Sequence, residues 1–306
     1  MAIKTLSSQA VTWVNIDKVD ETAITYLKEK HNFHHLDIED IRGESQTPKI
    51  DTYKNYLFIV LQFPHWNAEK KQIVPHEIDV FIGEEFLITV QHTKSKEIKS
   101  FFYRCMKNKR FQREWMNQTS GHLLYKLLES LFKDTQPILN NLGKQLYAVE
   151  QTIFEGNHEF EVVKELALHR RNILNLRRII DPQRFLVSNL SHIRKPFMHE
   201  DTTLYFDNIS DYLNKMWAVV DSYKETIEGL HVTVESLITQ RTNKVIGALT
   251  SISVALLPFT VLSGIYGMNI IGLPYAKEPL FVWGMFGILA IVVIGALIIL
   301  RKKQWL

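Results

Sequence analysis

The sequence has little cysteine and little net charge. One cysteine among 306 residues, Cys105, excludes an internal disulfide framework and suits a reducing compartment. The first residues lack the continuous apolar core of a secretory signal, so nothing there predicts export of the soluble part. The net charge of +3 is small and the basic residues have few aromatic neighbours, which argues against nucleic acid as a partner.

Catalytic sequence motifs are also missing. The chain has no phosphate-cradling glycine loop, no metalloprotease helix motif and no Gly-x-Ser-x-Gly elbow. We therefore expect no enzyme and no organic cofactor. An energised pump with two membrane spans would need a nucleotide site, and the sequence does not indicate one.

Acidic and basic residues are absent from two long stretches near the C-terminus, 245–276 and 279–300. Each exceeds the ~20 residues that cross a ~30 Å hydrocarbon layer as a helix. Arg241 and Lys244 precede the first stretch, and three basic residues, 301–303, follow the second. The positive-inside rule then predicts a protein of the cytoplasmic membrane with both termini in the cytoplasm.

The remaining pattern predicts an α+β membrane protein in three parts. Residues 1–120 are expected to form a cytoplasmic α/β domain, 121–244 a helical hairpin and a long stalk helix, and 245–306 a two-span membrane domain. Strands are predicted at Ala10–Val14, Leu57–Gln62, Ile78–Ile82 and Phe86–Val90, the last two as a hairpin, and helices at Thr22–Lys30 and Leu36–Ile41.

Histidines and arginines invite functional interpretations. His31, His34 and His35 lie too close on one short segment to encircle a metal ion, so we interpret them as surface or capping residues. Arginines 170, 171, 177 and 178 share much of one helix side. That side is either a solvated face or an electrostatic contact with acidic headgroups or acidic partner helices.

Three helical segments follow residue 120. Apolar residues recur at three- and four-residue intervals in 121–154, where Pro137 should bend or interrupt the helix, and in 160–190. The pattern then continues without a stop signal from Thr203 to Ser263, which predicts one helix of ~90 Å that enters the first span. A helix this long must pack on neighbours, including copies of itself, so we expect an oligomer.

The first span carries a stripe of small and hydroxylated residues, whereas 281–300 has no Ser, Thr or Asn. The stripe consists of Asn243, Thr250, Ser253, Thr260 and Gly264, with Ile246, Leu249 and Leu257 close to it. Close helix packing explains such a stripe as well as a water-filled pathway does. Only the first span is polar enough to face water.

The short turn after this span resembles that of the CorA family of divalent-cation transport proteins. Tyr266-Gly267-Met268-Asn269 ends the first span, and a short loop, a second span and a basic tail ending in Trp305-Leu306 follow. Pro258 and the segment from Arg170 to Arg184 agree with the family. The tripeptide alone is a weak signal, but its position in a two-span layout makes the resemblance extend over most of the chain.

The resemblance implies a homopentamer that transports Mg²⁺, with the Asn269 side chains meeting the still-hydrated ion. By position, the family's pore-lining residues would be Asn243, Ile246, Leu249, Leu257 and Thr260. It also implies regulatory Mg²⁺ between adjacent cytoplasmic domains, for which Asp207 and Asp211 are candidate ligands.

The sequence departs from the family pattern in two places. Asn208 stands where the family has a stalk carboxylate, and residues 270–274 replace the frequent Met-Pro-Glu-Leu, leaving Glu278 as the acid of the loop. Both departures leave a Zn²⁺ transporter of the same superfamily, or one that admits Co²⁺ or Ni²⁺, as an alternative. A membrane-anchored sensor or scaffold, in which the spans only tether the soluble part, is a third possibility.

Overall fold

A computed structural model describes residues 3–43, 46–155, 159–198, 200–269, 272, 274–275 and 278–302. Within it the chain divides into two compact units, Met1–His231 and Val232–Leu306. Loop positions 270, 271 and 273 lie outside the described residues, as does the predicted basic tail beyond residue 302.

The first unit is built on a six-stranded sheet in the order β1-β2-β6-β5-β4-β3. Its strands are β1 Ile3–Ser7, β2 Thr12–Ile16, β3 Lys49–Thr52, β4 Tyr56–Asn67, β5 Gln72–Gly83 and β6 Phe86–Gln91. β2 and β6 run parallel, and the other neighbouring pairs run antiparallel. The predicted hairpin of β5 and β6 is confirmed, as is the α/β character of this unit.

Two details of the strand prediction were wrong. The strand predicted at Ala10–Val14 begins at Thr12, because a turn precedes it in which the Ser8 amide donates to the Val11 carbonyl at 3.0 Å. The edge strands β1 and β3 were missed. Both are short, and β3 reads Lys-Ile-Asp-Thr, too polar to show the alternation of a half-buried strand.

Helices cover both faces of the sheet. α1 Glu21–His31 and α2 His35–Arg42 pack on one face, over a core that includes Phe58, Phe81 and Val90. The opposite face carries Trp13, whose ring meets those of Phe101 and Phe102 on α3 at 5.4 and 4.9 Å. Five more helices precede the long helix: α3 Lys96–Lys107, α4 Lys109–Met116, α5 Ser120–Lys133, α6 Gln136–Glu155 and α7 Glu159–His192.

Pro137 separates α5 from α6, as its position predicts. A proline at 137 has no amide hydrogen to give the carbonyl of residue 133, where α5 ends. α7 continues through Pro182. Asn172 fixes α7 to the sheet, since its side chain accepts from the Ile73 amide at 3.0 Å and donates to the Lys71 carbonyl at 3.2 Å.

The predicted long helix is confirmed as α8 Glu200–Tyr266, 67 residues without interruption. In the first unit it buries an apolar stripe that includes Phe206, Leu213 and Val220. Two arginines of α7 reach its surface. Arg177 lies 3.4 Å from Asp221, and Arg184 donates to Asn214 at 2.7 Å while lying 4.4 Å from the Trp217 ring.

The second unit contains the C-terminal part of α8 and helix α9 Pro279–Lys302. Both helices are long and apolar enough to cross a membrane, as predicted. Within this unit the two pack together, and the rings of Phe259 and Phe286 lie 6.4 Å apart.

Candidate functional site

The turn that follows the first span is closed by backbone hydrogen bonds. Tyr266 ends α8, the Gly267 amide donates to the Ser263 carbonyl at 2.8 Å, and the Met268 amide donates to the Ile265 carbonyl at 3.3 Å. The Tyr266 hydroxyl reaches forward to the Pro274 carbonyl at 3.4 Å. Gly267, Met268 and Asn269 are all exposed. The turn therefore offers the Asn269 amide group to the outside of the helix pair.

The five candidate pore residues lie on one side of α8. At 3.6 residues per turn they span about a third of the helix circumference, and all are exposed in the single chain: Asn243, Ile246, Leu249, Leu257 and Thr260. The side that faces α9 carries half-buried small residues: Gly247, Ser251, Ala255 and Pro258. The centres of these two sets lie about 140° apart around the helix.

The hydroxyl groups of this span bond within the helix. Thr260 donates to the Leu256 carbonyl at 3.1 Å and Ser253 donates to the Leu249 carbonyl at 2.9 Å. Thr250, which the sequence places in the polar stripe, lines the groove between α8 and α9. Hydroxyls that bond to their own helix can meet lipid, protein or water at low cost, so they are compatible with a pathway but do not require one.

The acidic candidates on the stalk are accessible. Asp207 and Asp211 are exposed and lie one helical turn apart on α8 in the first unit. Among the described residues, one group of three or more His, Cys, Asp and Glu side chains is close enough to hold a metal ion, and it does not include them.

The basic run on α7 divides into two sets. Arg177 contacts α8, as described above, whereas Arg170, Arg171 and Arg178 line a groove beside Ile227. The interpretation as an electrostatic contact with an acidic helix is thus borne out for Arg177 and Asp221. His34 caps α2 by accepting from the Leu36 amide at 3.3 Å, as a capping histidine should.

The group of side chains close enough to hold a metal ion, among the described residues, is a cluster that sequence reasoning missed: Glu77, Asp79 and His92. Glu77 and Asp79 lie on the same face of β5, and His92 follows β6 beside them. His92 Nε2 lies 2.8 Å from Asp79 Oδ2 and 3.3 Å from Glu77 Oε1. Two acids at alternate positions in a mostly apolar strand were the available signal.

The pKa values of two groups in this cluster are shifted, that of Asp79 by burial and that of His92 by a hydrogen bond. Burial raises the pKa of Asp79 to about 6, against the opposing effect of the His92 hydrogen bond. The same hydrogen bond raises the pKa of His92. The carboxylate and the imidazolium thus each favour the other's charged form in a largely buried site.

Comparison with known proteins supports the sequence resemblance. The family described as CorA-like Mg²⁺ transporter protein matches residues 8–302. The cobalt/magnesium transport protein CorA of Thermotoga maritima is 27% identical over 304 residues, covering 98% of this chain and 84% of that protein. The zinc transport protein ZntB of Pectobacterium carotovorum is 24% identical over 302 residues, covering 98% of this chain and 90% of that one.

A solved structure matches the fold over nearly the whole chain. The CorA magnesium transporter from Methanocaldococcus jannaschii superposes with a TM-score of 0.84 at 19% identity, covering 97% of this chain and 92% of that one. Its agreement confirms the predicted fold class, an α/β domain, a long helix and two apolar C-terminal helices. Because the family match extends from residue 8 to 302, this chain belongs to the CorA-like Mg²⁺ transporter family, whose members carry divalent cations across membranes and are not enzymes.

Proposed function

We propose that this chain forms a gated, passive pathway for Mg²⁺ influx across the cytoplasmic membrane, driven by the membrane potential. The observation that carries the proposal is the sidedness of α8. Its candidate pore residues are exposed on a side centred about 140° from the side that faces α9. A homopentamer that placed this side at its symmetry axis would line a conduit with α8 and leave α9 in an outer ring.

The chemistry of the turn suits a hydrated ion. Mg²⁺ gives up its water reluctantly, so a ring of Asn269 amides could hydrogen-bond the water shell and select by the size of the hydrated ion. Gly267 and Met268 position that ring through the backbone bonds of the turn, and Tyr266 does so through its hydroxyl. Neutral ligands also release the ion more readily than carboxylates would.

The stripe below the turn supplies both a polar surface and a constriction. Asn243 and Thr260 offer polar groups, whereas Ile246, Leu249 and Leu257 are apolar. An apolar ring can gate conduction by losing and regaining its water as the helices move. In this proposal residues 245–306 form the membrane domain, 121–244 the hairpin and stalk, and 1–120 the cytoplasmic domain, with both termini inside.

Regulation by bound Mg²⁺ is the second part of the proposal. Exposed carboxylates on parallel stalks repel one another unless cations lie between them, so Asp207 and Asp211 would hold Mg²⁺ across subunit contacts and stabilise the closed state. Limited proteolysis of the purified protein should slow in Mg²⁺, and Asp207→Asn/Asp211→Asn should abolish the protection. Identical digestion with and without Mg²⁺ would remove this part of the proposal.

A Zn²⁺ transporter is the second candidate, because a ZntB protein matches over the same length of chain as CorA does. Uptake of Mg²⁺ and Zn²⁺ into proteoliposomes, measured side by side, distinguishes the two. We expect Mg²⁺ to enter and an inert hexaammine cation, which has the size of hydrated Mg²⁺, to block it. Zn²⁺ uptake that the hexaammine does not block, without Mg²⁺ uptake, would favour the second candidate.

A further inference from the structure

The cluster on β5 and β6 has the donor set of a transition-metal site. Glu77 and Asp79 supply carboxylate oxygens and His92 supplies an imidazole nitrogen, with one ligand atom from each within 4.8 Å of the others. Zn²⁺ and Co²⁺ bind this mixture of nitrogen and oxygen, whereas Mg²⁺ prefers oxygen alone. We propose that Glu77, Asp79 and His92 form a Zn²⁺ site in the first unit, separate from the transport pathway.

An unsatisfied oxygen in the cluster points to a ligand. Asp79 is 1% exposed, and its Oδ1 atom has no hydrogen-bond partner among the residues that the structure describes. A buried carboxylate oxygen without a partner costs free energy that a bound cation would recover. His92 occupies only the other oxygen, Oδ2.

A backbone amide positions one of the ligands, and the lysine on the same face of the sheet pairs with other acids. The Gln46 amide donates to Glu77 Oε2 at 2.6 Å, which leaves Oε1 toward His92. Lys49, two strands away on the same face, pairs instead with Asp40 and Asp51 at 2.7 and 2.6 Å. Two buried carboxylates therefore face a single imidazole.

An ordinary ion pair is the competing explanation. A protonated His92 would pair with Asp79 Oδ2, but among the described residues it would leave Asp79 Oδ1 without a hydrogen bond in a buried site. A divalent ion can contact Asp79 Oδ1 and accepts the neutral imidazole as a ligand. The His92 side chain keeps 24% of its surface exposed, so an ion can reach the cluster from solvent.

Zinc stoichiometry of the full-length protein tests the site. Purified protein stripped by a chelator would be dialysed against Zn²⁺ with excess Mg²⁺, and the bound zinc counted. Asp79→Asn and His92→Gln should each lose one zinc per chain, whereas His35→Gln, at an exposed histidine, should lose none. Asn269→Ala should also keep this zinc, because Asn269 is not one of the ligands. The zinc test is therefore independent of whether the transport proposal holds. Equal zinc in the wild type, Asp79→Asn and His92→Gln would overturn the proposal.

A ligand exchange gives an independent readout if those variants fold poorly. His92→Cys replaces the imidazole with a thiolate, which binds Co²⁺ and Zn²⁺. Folded His92→Cys loaded with Co²⁺ should show a thiolate-to-cobalt charge-transfer band that the wild type, with buried Cys105, lacks. Absence of the band in the folded variant would contradict the assignment.

Discussion

A methyl group placed on Gly267 would lie 2.9 Å from the Ser263 carbonyl oxygen, closer than side-chain carbons approach a backbone oxygen. The Gly267 amide donates to that same carbonyl at 2.8 Å. The helix end and the turn thus approach so closely that a side chain at this position would force the backbone to shift. The close approach connects the geometry of the turn to the placement of Asn269 two residues later.

Gly267→Ala should therefore reduce transport by displacing the turn. Relieving the contact costs about 1–3 kcal/mol or shifts the backbone by a few tenths of an ångström. We expect lower Mg²⁺ uptake in proteoliposomes at equal amounts of assembled protein. Gly284→Ala is the control, because a methyl group there meets nothing within 4 Å. Equal losses in both variants would show that the turn geometry is not the cause.

Gly143→Ala should destabilise the first unit through Tyr223. A methyl group on Gly143 of α6 would lie 2.2 Å from the Tyr223 hydroxyl on α8. We expect a loss of about 1–3 kcal/mol in thermal unfolding, as for other overpacked sites. Adding Tyr223→Phe removes the hydroxyl and should recover part of the loss, so the double-mutant cycle should show coupling. Strict additivity would refute the contact.

Arg184 should resist replacement by lysine. Its guanidinium stacks on Trp217 and donates to Asn214, two contacts that a lysine ammonium cannot make together. We expect Arg184→Lys to lower the free energy of unfolding by about 1 kcal/mol. Arg178→Lys, at an exposed position on the same helix, should have little effect. If the two variants unfold alike, the contact with α8 does not contribute measurably.

Leu249→Ala should raise the basal flux of Mg²⁺. If Leu249 belongs to an apolar constriction, a smaller side chain widens it and lets water remain there in the closed state. Ile252→Ala is the control, since Ile252 is also exposed but lies about a third of a turn from the centre of the pore stripe. A similar rise in both variants would indicate general loosening of the span.

Long periodic segments made much of the fold predictable. The 67-residue helix α8 and the helix break at Pro137 followed from apolar spacing and from proline chemistry. The edge strands β1 and β3 did not, because a short edge strand buries too little apolar surface to produce a clear pattern. Strand order also depends on pairings between distant segments, such as β2 with β6, that local sequence does not encode.

The candidate sites also differ in how far the sequence alone could predict them. The turn at Asn269 is contiguous in sequence and could be recognised as a motif. The cluster of Glu77, Asp79 and His92 becomes visible only when the pairing of β5 with β6 brings the histidine beside the acids. Arg177 and Asp221 likewise meet only once α7 and α8 pack together.

Uptake of Mg²⁺ by Asn269→Ala tests the central claim most directly. Wild type and variant would be reconstituted at equal protein into vesicles with an inside-negative potential, with Asn140→Ala, an exposed asparagine on α6, as the matched control. The proposal predicts that Asn269→Ala loses most Mg²⁺ uptake while Asn140→Ala keeps it. Uptake by Asn269→Ala equal to that of the wild type would contradict the account.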